Sequence, residues 1–336
     1  MYIITNVWAT WPPVLSLRQV LLNTHNPTWI NDATFHEDVN YLEALWQRRP
    51  VGTIDLPIID IGDKNAEALV FVPILEHLEF VYARQIRSLS TSRRIILYRR
   101  HEARHRPVGL VERAEELRQV LDSLELQQVD LLGHGDAAMV LFEFALRYPE
   151  RCRSLIIIAQ GATYQIPPHP FIWLLHDLFV RLPAEHILPS AFLRRTVVNY
   201  IVSHHKDNTT SPALPRHLIE EQFAKIQQWP ALYKFSVLPI IHYFTIQERI
   251  QQLTLPILLI NRADDPLAPE TATQWLATYL PNCVSYVVTQ GRERFFMYSC
   301  AQEVTPLIET FLLSTLKQIV VKESGALPSP GEKQTR

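Results

Sequence analysis

The residues best placed for chemistry gather around a turn between a strand and a helix. Residues 133–137 read Gly-His-Gly-Asp-Ala, after the apolar run VDLL and before a helix predicted to start at Ala137. A serine at the tip of such a turn, served by a histidine base and an acid, would carry out acyl transfer through a covalent intermediate. This chain has Gly135 at the tip, so no nucleophilic side chain stands there. Glycine still adopts cheaply the unusual backbone angles that the turn requires.

Alternating strands and helices must position this turn. Apolar runs predict an edge strand at residues 54–61 and further strands at 68–74, 94–98, 129–132, 154–159, 256–261 and 284–288. Apolar residues at helical spacing predict helices at 109–124, 137–148, 270–280 and 303–316. Nearly continuous apolar strands that alternate with helices are typical of a mostly parallel sheet with helices on both faces. The fold class is therefore α/β.

The alternation of strands and helices stops between the two halves of this sheet. Apolar residues from Phe171 to Leu182 recur at helical spacing, and prolines separate the helical pieces that follow. We therefore expect a helical cap inserted after the sixth core strand. The expected divisions are an N-terminal extension at 1–52, a core at 53–162 and 253–321, the cap at 163–252, and a polar, disordered tail at 322–336.

The order and spacing of these segments resemble the α/β-hydrolase superfamily, in its capped form. The resemblance rests on ALVFVPI, RRIILYRR, VDLLGH with the helix ending ALRYPERCRSL, and LPILLINRADDPLAP. It implies the α/β-hydrolase fold and a nucleophile in the pattern G-x-S-x-G, whose serine position is Gly135 here. There is a looser similarity to maspardin-like proteins, which keep the serine that this chain lacks.

The other positions that the resemblance matches also depart from its pattern. The acid position matches Asp265, with Asp264 beside it, and the base position in the turn GRERF holds Arg294 instead of histidine. A guanidinium stays protonated and has no acceptor atom, so it cannot act as a general base. It does form two-pronged pairs with carboxylates, and we therefore predict that Arg294 pairs with Asp265 or Asp264 and closes the site.

The loop that would supply an oxyanion-binding amide is altered too. Where the superfamily has a His-Gly loop, this chain has Pro73 followed by Ile74, Leu75 and Glu76. Proline has no N–H, and a nearby carboxylate would oppose a developing oxyanion. The backbone amides of Leu75 and Asp136 are the remaining candidates for this role.

These departures favour a non-catalytic protein that binds a ligand or a partner. The alternative is a hydrolase or lyase of the same superfamily that relies on Asp136 or His134. Each has an ordinary structural interpretation, since an acid in the first turn of a helix is favoured by the helix dipole and a histidine beside the turn can serve packing. Activity, if present, is expected to be hydrolytic, and no cofactor is expected.

The remaining histidines give no metal site. His101 with His105, and His204 with His205, form two pairs, but neither pair has a third ligand nearby in sequence, so surface or capping roles are expected. Short arginine pairs are expected to form solvated faces; they are Arg93–Arg94, Arg99–Arg100 and Arg194–Arg195.

Composition narrows the set of partners. The net charge of −2 and a pI of about 6.7 indicate neither nucleic acid nor an anionic membrane. The sequence shows no convincing signal peptide, no transmembrane segment, and only three unpatterned cysteines, which favours a cytoplasmic protein. A small apolar ligand under the cap, or a protein partner bound through the cap, is expected. Four aromatic residues either anchor that partner or pack the cap on the sheet: Phe171, Trp173, Phe179 and Phe192.

Overall fold

One eight-stranded sheet organises the part of the chain that the computed structural model describes. That part comprises residues 30–164, 170–202, 213–242, 244–262, 265, 267–288 and 293–323, without the side chains of 170–173 and 316–323. The strands are β1 (Gln47–Val51), β2 (Ile54–Ile61), β3 (Ala68–Val72), β4 (Arg94–Tyr98), β5 (Val129–His134), β6 (Cys152–Ile158), β7 (Ile257–Arg262) and β8 (Cys283–Val288).

Helices occupy the connections between most of these strands. The α-helices are α1 (Asp32–Leu45), α2 (Ala83–Leu89), α3 (Leu110–Ser123), α4 (Asp136–Arg147), α5 (Pro170–Arg181), α6 (Ala184–Ile187), α7 (Ser190–Val202), α8 (Arg216–Lys225), α9 (Trp229–Leu232), α10 (Leu238–Ile241), α11 (Glu270–Tyr279), α12 (Phe296–Ser299) and α13 (Ala301–Glu323). Short 3₁₀ turns cover Glu79–Tyr82, Pro149–Arg151 and Gln247–Gln252, and a π-helix covers Tyr233–Val237.

The sheet has the order β1-β2-β4-β3-β5-β6-β7-β8. The pairs β1/β2 and β2/β4 are antiparallel, and every other neighbouring pair is parallel. The predicted mostly parallel sheet is therefore confirmed. The prediction that residues 54–61 form the edge strand is wrong, because β1 covers the outer side of β2. The polar sequence of β1, QRRPV, concealed it, and its Pro50 is a residue that sheets tolerate at an edge.

The centre of the sheet is closed on both faces. Every residue of β3, β5, β6 and β7 is buried, as the nearly continuous apolar runs predict. Helix α4 follows β5 directly and packs very close to it. A Cβ on Gly133 would lie 2.9 Å from backbone atoms of Ala137 and Ala138, so only glycine allows this approach.

Several arginines predicted to form solvated faces are buried instead. Arg93 is 6% exposed and donates to Asp130 at 3.2 Å, and Arg100 is also 6% exposed. Arg94 makes two hydrogen bonds to the Asp60 carboxylate, at 3.0 and 3.1 Å. The prediction was wrong because Arg93, Arg94 and Arg100 each have a carboxylate partner at least 34 residues away in sequence, namely Asp130, Asp60 and Asp136.

Helices α5 to α10 lie in sequence between β6 and β7, and the division of the chain into a core and a cap stays a prediction. A residue of the π-helix, Ser236, ties this insertion to the core. Its hydroxyl accepts from the Ala103 amide at 2.8 Å, donates to the Ala103 carbonyl at 3.0 Å, and lies 3.3 Å from Nη2 of Arg113. The predicted extension and tail lie largely outside the described residues, at 1–29 and 324–336. Within the described ranges, no helix combines the length and apolarity needed to cross a membrane.

Candidate functional site

The turn at Gly135 joins β5 to α4 with a backbone that disfavours side chains. Gly135 has φ 61° and ψ −122°, and its amide donates to the Ile158 carbonyl at 2.9 Å. Positive φ with this ψ is strained for any residue with a Cβ. The glycine therefore keeps the sharp turn that a nucleophile would occupy, without the nucleophile.

The Arg294 side chain reaches across to this turn. A Cβ built on Gly135 would lie 2.8 Å from Nη2 of Arg294, which is closer than carbon and nitrogen pack. The same Nη2 lies 3.5 Å from the Ala159 carbonyl oxygen, and the residue is 8% exposed. The guanidinium therefore fills the space into which a side chain at position 135 would project.

Arg294 also forms the ion pair that the sequence predicted. Its Nη1 lies 3.1 Å and 3.2 Å from the two carboxylate oxygens of Asp265, which is 1% exposed. Asp265 Oδ1 accepts a further hydrogen bond from the Leu267 amide at 2.9 Å. Asp264 lies outside the described residues. The acid and base positions are therefore joined in a buried, charge-assisted pair.

His134 lies directly beside the turn and is 1% exposed. Its Nε2 donates to the Arg294 carbonyl oxygen at 2.9 Å, and its Nδ1 is buried with no hydrogen-bond partner among the described residues. Burial, followed by the charge of Arg294, lowers the pKa of His134 to about 3. The imidazole is therefore neutral near pH 7 and acts as a support for the Arg294 turn.

This protonation behaviour predicts a pH-dependent stability. The folded-state pKa of His134 lies below its unfolded value of about 6.5, so the stabilisation is present above pH 6.5 and is lost as the pH falls. We expect the unfolding free energy of the wild-type protein, minus that of His134→Gln, to fall by about 3 kcal/mol between pH 7 and pH 4. Urea denaturation at several pH values measures it. His186→Gln alters a side chain that is 80% exposed and should leave the profile unchanged.

Asp136, the other candidate for unconventional chemistry, is held by a buried arginine. Its carboxylate lies 3.2 Å from Nη1 of Arg100, whose Nε donates to Glu102 at 2.8 Å. The Arg100 side chain is 2% exposed and that of Asp136 is 11% exposed. The pair fixes Asp136 at the start of α4, where the helix dipole also favours a carboxylate.

The altered oxyanion loop leads from β3 into the 3₁₀ turn Glu79–Tyr82. Leu75 is 7% exposed, and its carbonyl accepts from the Leu78 amide at 3.1 Å. The Glu76 carboxylate lies 2.5 Å from Nη2 of Arg104, so a cation balances its charge. The donor roles expected for the backbone amides of Leu75 and Asp136 stay predictions.

No sequence pattern located two tyrosines near Arg294, or Tyr233, which neighbours one of them. Tyr164 and Tyr200 both lie close enough to feel the charge of Arg294, and Tyr164 also neighbours Tyr233. Burial raises the pKa of Tyr200 to about 12 and raises that of Tyr164 further. Neutral phenol groups beside a guanidinium can hold a polar atom of a bound molecule. No motif marks these tyrosines, because the insertion that carries them has no recognisable pattern.

No metal site accompanies these groups in the described residues, where no cluster of three ligand-type side chains occurs. His101 is exposed, and its carbonyl accepts from Arg113 at 2.9 Å. His105 is exposed as well. The second predicted pair, His204 and His205, lies outside the described residues.

Comparisons with known proteins find one matching family model and several similar hydrolases. The model of the Ndr family matches residues 105–165, less than a fifth of the chain, which includes the turn. Poly(3-hydroxyalkanoate) depolymerase of Ectopseudomonas oleovorans is 26% identical over 204 residues, which span 60% of this chain and 67% of the depolymerase.

Solved structures of hydrolases share the fold. An enol-lactonase from Burkholderia xenovorans has a TM-score of 0.62 at 15% identity, over 80% of this chain and 100% of its own. A thermophilic esterase from Thermogutta terrifontis has a TM-score of 0.64 at 16% identity, over 80% of this chain and 99% of its own. The protein therefore has the α/β-hydrolase fold.

Proposed function

We propose that this α/β-hydrolase-fold protein is non-catalytic and binds a ligand or a protein partner. The observation that carries the proposal is the position of Arg294. Its guanidinium occupies the space above Gly135 and pairs there with Asp265, at 3.1 and 3.2 Å. One side chain thus replaces the base, blocks the nucleophile position and engages the acid.

The chemistry of the three positions supports this proposal. Two-step acyl transfer needs a nucleophile, a base to take its proton, and an oriented acid. Gly135 offers no nucleophilic atom, and Arg294 has no lone pair with which to accept a proton. Asp265 could activate water only after release from Arg294, because Nη1 of that residue lies 3.1 and 3.2 Å from its two carboxylate oxygens.

The alternative, a hydrolase or lyase using Asp136 or His134, has less support. Asp136 is paired with Arg100 at 3.2 Å, which withdraws its carboxylate from attack. His134 donates from Nε2 to a backbone carbonyl, and its pKa of about 3 makes the imidazole a poor base. Loss of turnover on Asp136→Asn, in a protein that showed turnover, would favour this alternative.

The described surroundings of Arg294 suggest which ligands to test. We propose that residues 163–252 act as a cap over a core formed by 53–162 and 253–321, in a cytoplasmic protein. Tyr164 and Tyr200 lie near enough to Arg294 to be influenced by its charge, so an apolar molecule with one polar acceptor group is the class of ligand to test. Similar proteins are named for lactones, esters and a polyester, which places such compounds first.

A direct assay distinguishes the non-catalytic protein from the hydrolase or lyase. The purified protein is screened with generic esters and with a serine-directed fluorophosphonate, and the screen is repeated on Gly135→Ser combined with Arg294→His. We expect no saturable turnover and no labelling of the unmodified chain. Clear turnover that survives further purification would contradict the proposal.

Ligand binding is tested by thermal shift with apolar acids, esters and lactones. A ligand present at 100 times its Kd should stabilise the protein by about 2.7 kcal/mol, a shift of several degrees. Arg294→Met should abolish a shift that depends on the guanidinium. The exposed change Arg48→Gln is the control. No shift with any compound would leave the partner-binding version of the proposal.

A further inference from the structure

Exposed apolar side chains are concentrated on one part of the insertion. Of eleven large hydrophobic side chains that the described residues expose to solvent, seven fall between residues 174 and 192. They are Leu174, Leu175, Leu178, Val180, Leu182, Ile187 and Phe192. Single exposed apolar residues are ordinary on soluble proteins, whereas a concentration of this kind marks an interaction site.

Four of these residues form a stripe along α5 and just beyond it. Leu174, Leu178 and Leu182 recur every four residues with Leu175 beside them, which places all four on one side of the helix. Leu182 continues the helical pattern, since its amide donates to the Leu178 carbonyl at 2.9 Å. The four side chains are 43–52% exposed. The stripe therefore faces solvent.

Two further residues continue the apolar exposure along the chain. Helices α5, α6 and α7 follow one another with two-residue connections. Ile187, at the end of α6, is 71% exposed, and Phe192, in the first turn of α7, is 60% exposed. Phe179, in contrast, is half-buried against the core, with its ring 5.9 Å from that of Tyr233. We call Leu174, Leu175, Leu178, Leu182, Ile187 and Phe192 the apolar surface.

The charges around the apolar surface are mainly positive. Arg181 and Arg195 are exposed, and Arg181 lies beside the leucine stripe on the same helix. The two acidic residues of this region have cationic or imidazole partners. Glu185 lies 2.6 Å from Nζ of Lys234, and the Asp177 carboxylate lies 3.3 Å from Nε2 of His242. Two exposed arginines therefore stand against one acid, Asp177, whose partner is an imidazole, which leaves a local cationic excess in a chain whose net charge is −2.

We infer that the apolar surface docks on an anionic lipid membrane. Apolar side chains flanked by arginines match the combination that holds a helix in a membrane interface, where acyl chains receive the former and lipid headgroups attract the latter. The charge of the whole chain had argued against such a membrane, but attraction at a surface depends on the charges near it. This docking is independent of the site at Gly135.

Two features favour lipid over a protein occupant. Six of the seven exposed side chains are aliphatic, and leucine and valine are under-represented at the energetic centres of protein interfaces. If a second copy bound to this surface through the same residues, the interface would contain Arg181 and Arg195 from both copies, and their mutual repulsion costs free energy. A bilayer with anionic headgroups satisfies both the leucines and the arginines.

Vesicle co-sedimentation of the full chain tests the inference. We expect binding to vesicles of phosphatidylcholine with phosphatidylserine, and binding about 5- to 30-fold weaker to phosphatidylcholine alone. Leu174→Ser combined with Leu178→Ser should weaken binding at least about tenfold. Leu313→Ser is the matched control, because Leu313 is 58% exposed on α13, and it should bind like wild type.

Charge variants test the second part of the inference. Arg181→Gln and Arg195→Gln should each weaken binding to anionic vesicles about fivefold, whereas Arg48→Gln should not. Ile187→Ser, at the most exposed position, should reproduce the leucine effect in a chain whose melting temperature is unchanged. Anionic vesicles bound equally by the leucine variant and wild type would overturn the inference. No binding to any vesicle would also overturn it, and dimerisation that the leucine substitutions abolish would assign the surface to a second copy of the chain.

Discussion

Asp265→Asn is expected to destabilise the protein by about 3–5 kcal/mol. The substitution keeps an oxygen that can accept from the Leu267 amide, now 2.9 Å from Oδ1, but it removes the charge that faces Arg294. Arg294 is 8% exposed, so its guanidinium would remain as a buried cation without a counter-charge. Urea denaturation at pH 7 measures the loss.

A double-mutant cycle separates the charge from other effects of this substitution. Asp265→Asn combined with Arg294→Met removes both charges and should be less destabilised than the sum of the single variants. Glu220→Gln serves as the control, because the Glu220–Arg216 pair at 2.7 Å is about half exposed and should contribute at most about 1 kcal/mol. Equal losses at Asp265 and Glu220 would contradict a buried, energetically important pair.

Gly135→Ser is expected to destabilise the protein by about 2–4 kcal/mol without creating activity. A serine there must hold φ 61° with ψ −122°, and its Cβ would stand 2.8 Å from Nη2 of Arg294. The guanidinium would have to move and weaken its bonds to Asp265. The melting temperature and urea midpoint measure the loss, and a fluorophosphonate probe tests for a reactive serine.

The chain contains a matched control for this change. Gly109 also precedes a helix, but it has φ −93°, and a Cβ there would meet its nearest neighbour at 3.4 Å. Serine is favoured at such a position, so Gly109→Ser should be neutral or slightly stabilising. If both substitutions had the same small effect, the proposed interlock between Gly135 and Arg294 would be absent.

The parallel sheet was predictable because its strands are long apolar runs. Strands β3, β5, β6 and β7 are buried on both faces, and burial of that kind leaves a direct mark on sequence. Strand β1 leaves no such mark. It lies at an edge, where polar residues and Pro50 cost little.

The site was predictable where a motif fixes the position of a residue. Gly135, Asp265 and Arg294 follow known segments of the fold, and simple charge chemistry predicted the pair between the last two. Arg100 was misjudged because one of its partners, Asp136, becomes a neighbour only in three dimensions, and the pairing with the nearby Glu102 has no sequence signature. Tyr164 and Tyr200 come from an insertion without a motif, so no sequence pattern located them.

The contact of the Arg294 guanidinium with Gly135 also limits which substitutions these two positions can accept one at a time. Acquiring a serine nucleophile at this turn would need changes at both positions. If the serine arises first, its Cβ lies 2.8 Å from Nη2 of Arg294. If the arginine is lost first, Asp265 remains buried without its cation. Either single variant loses several kcal/mol of a free energy of unfolding that is typically about 5–15 kcal/mol. Selection for stability alone therefore disfavours each single substitution, so Gly135 and Arg294 are expected to change only together.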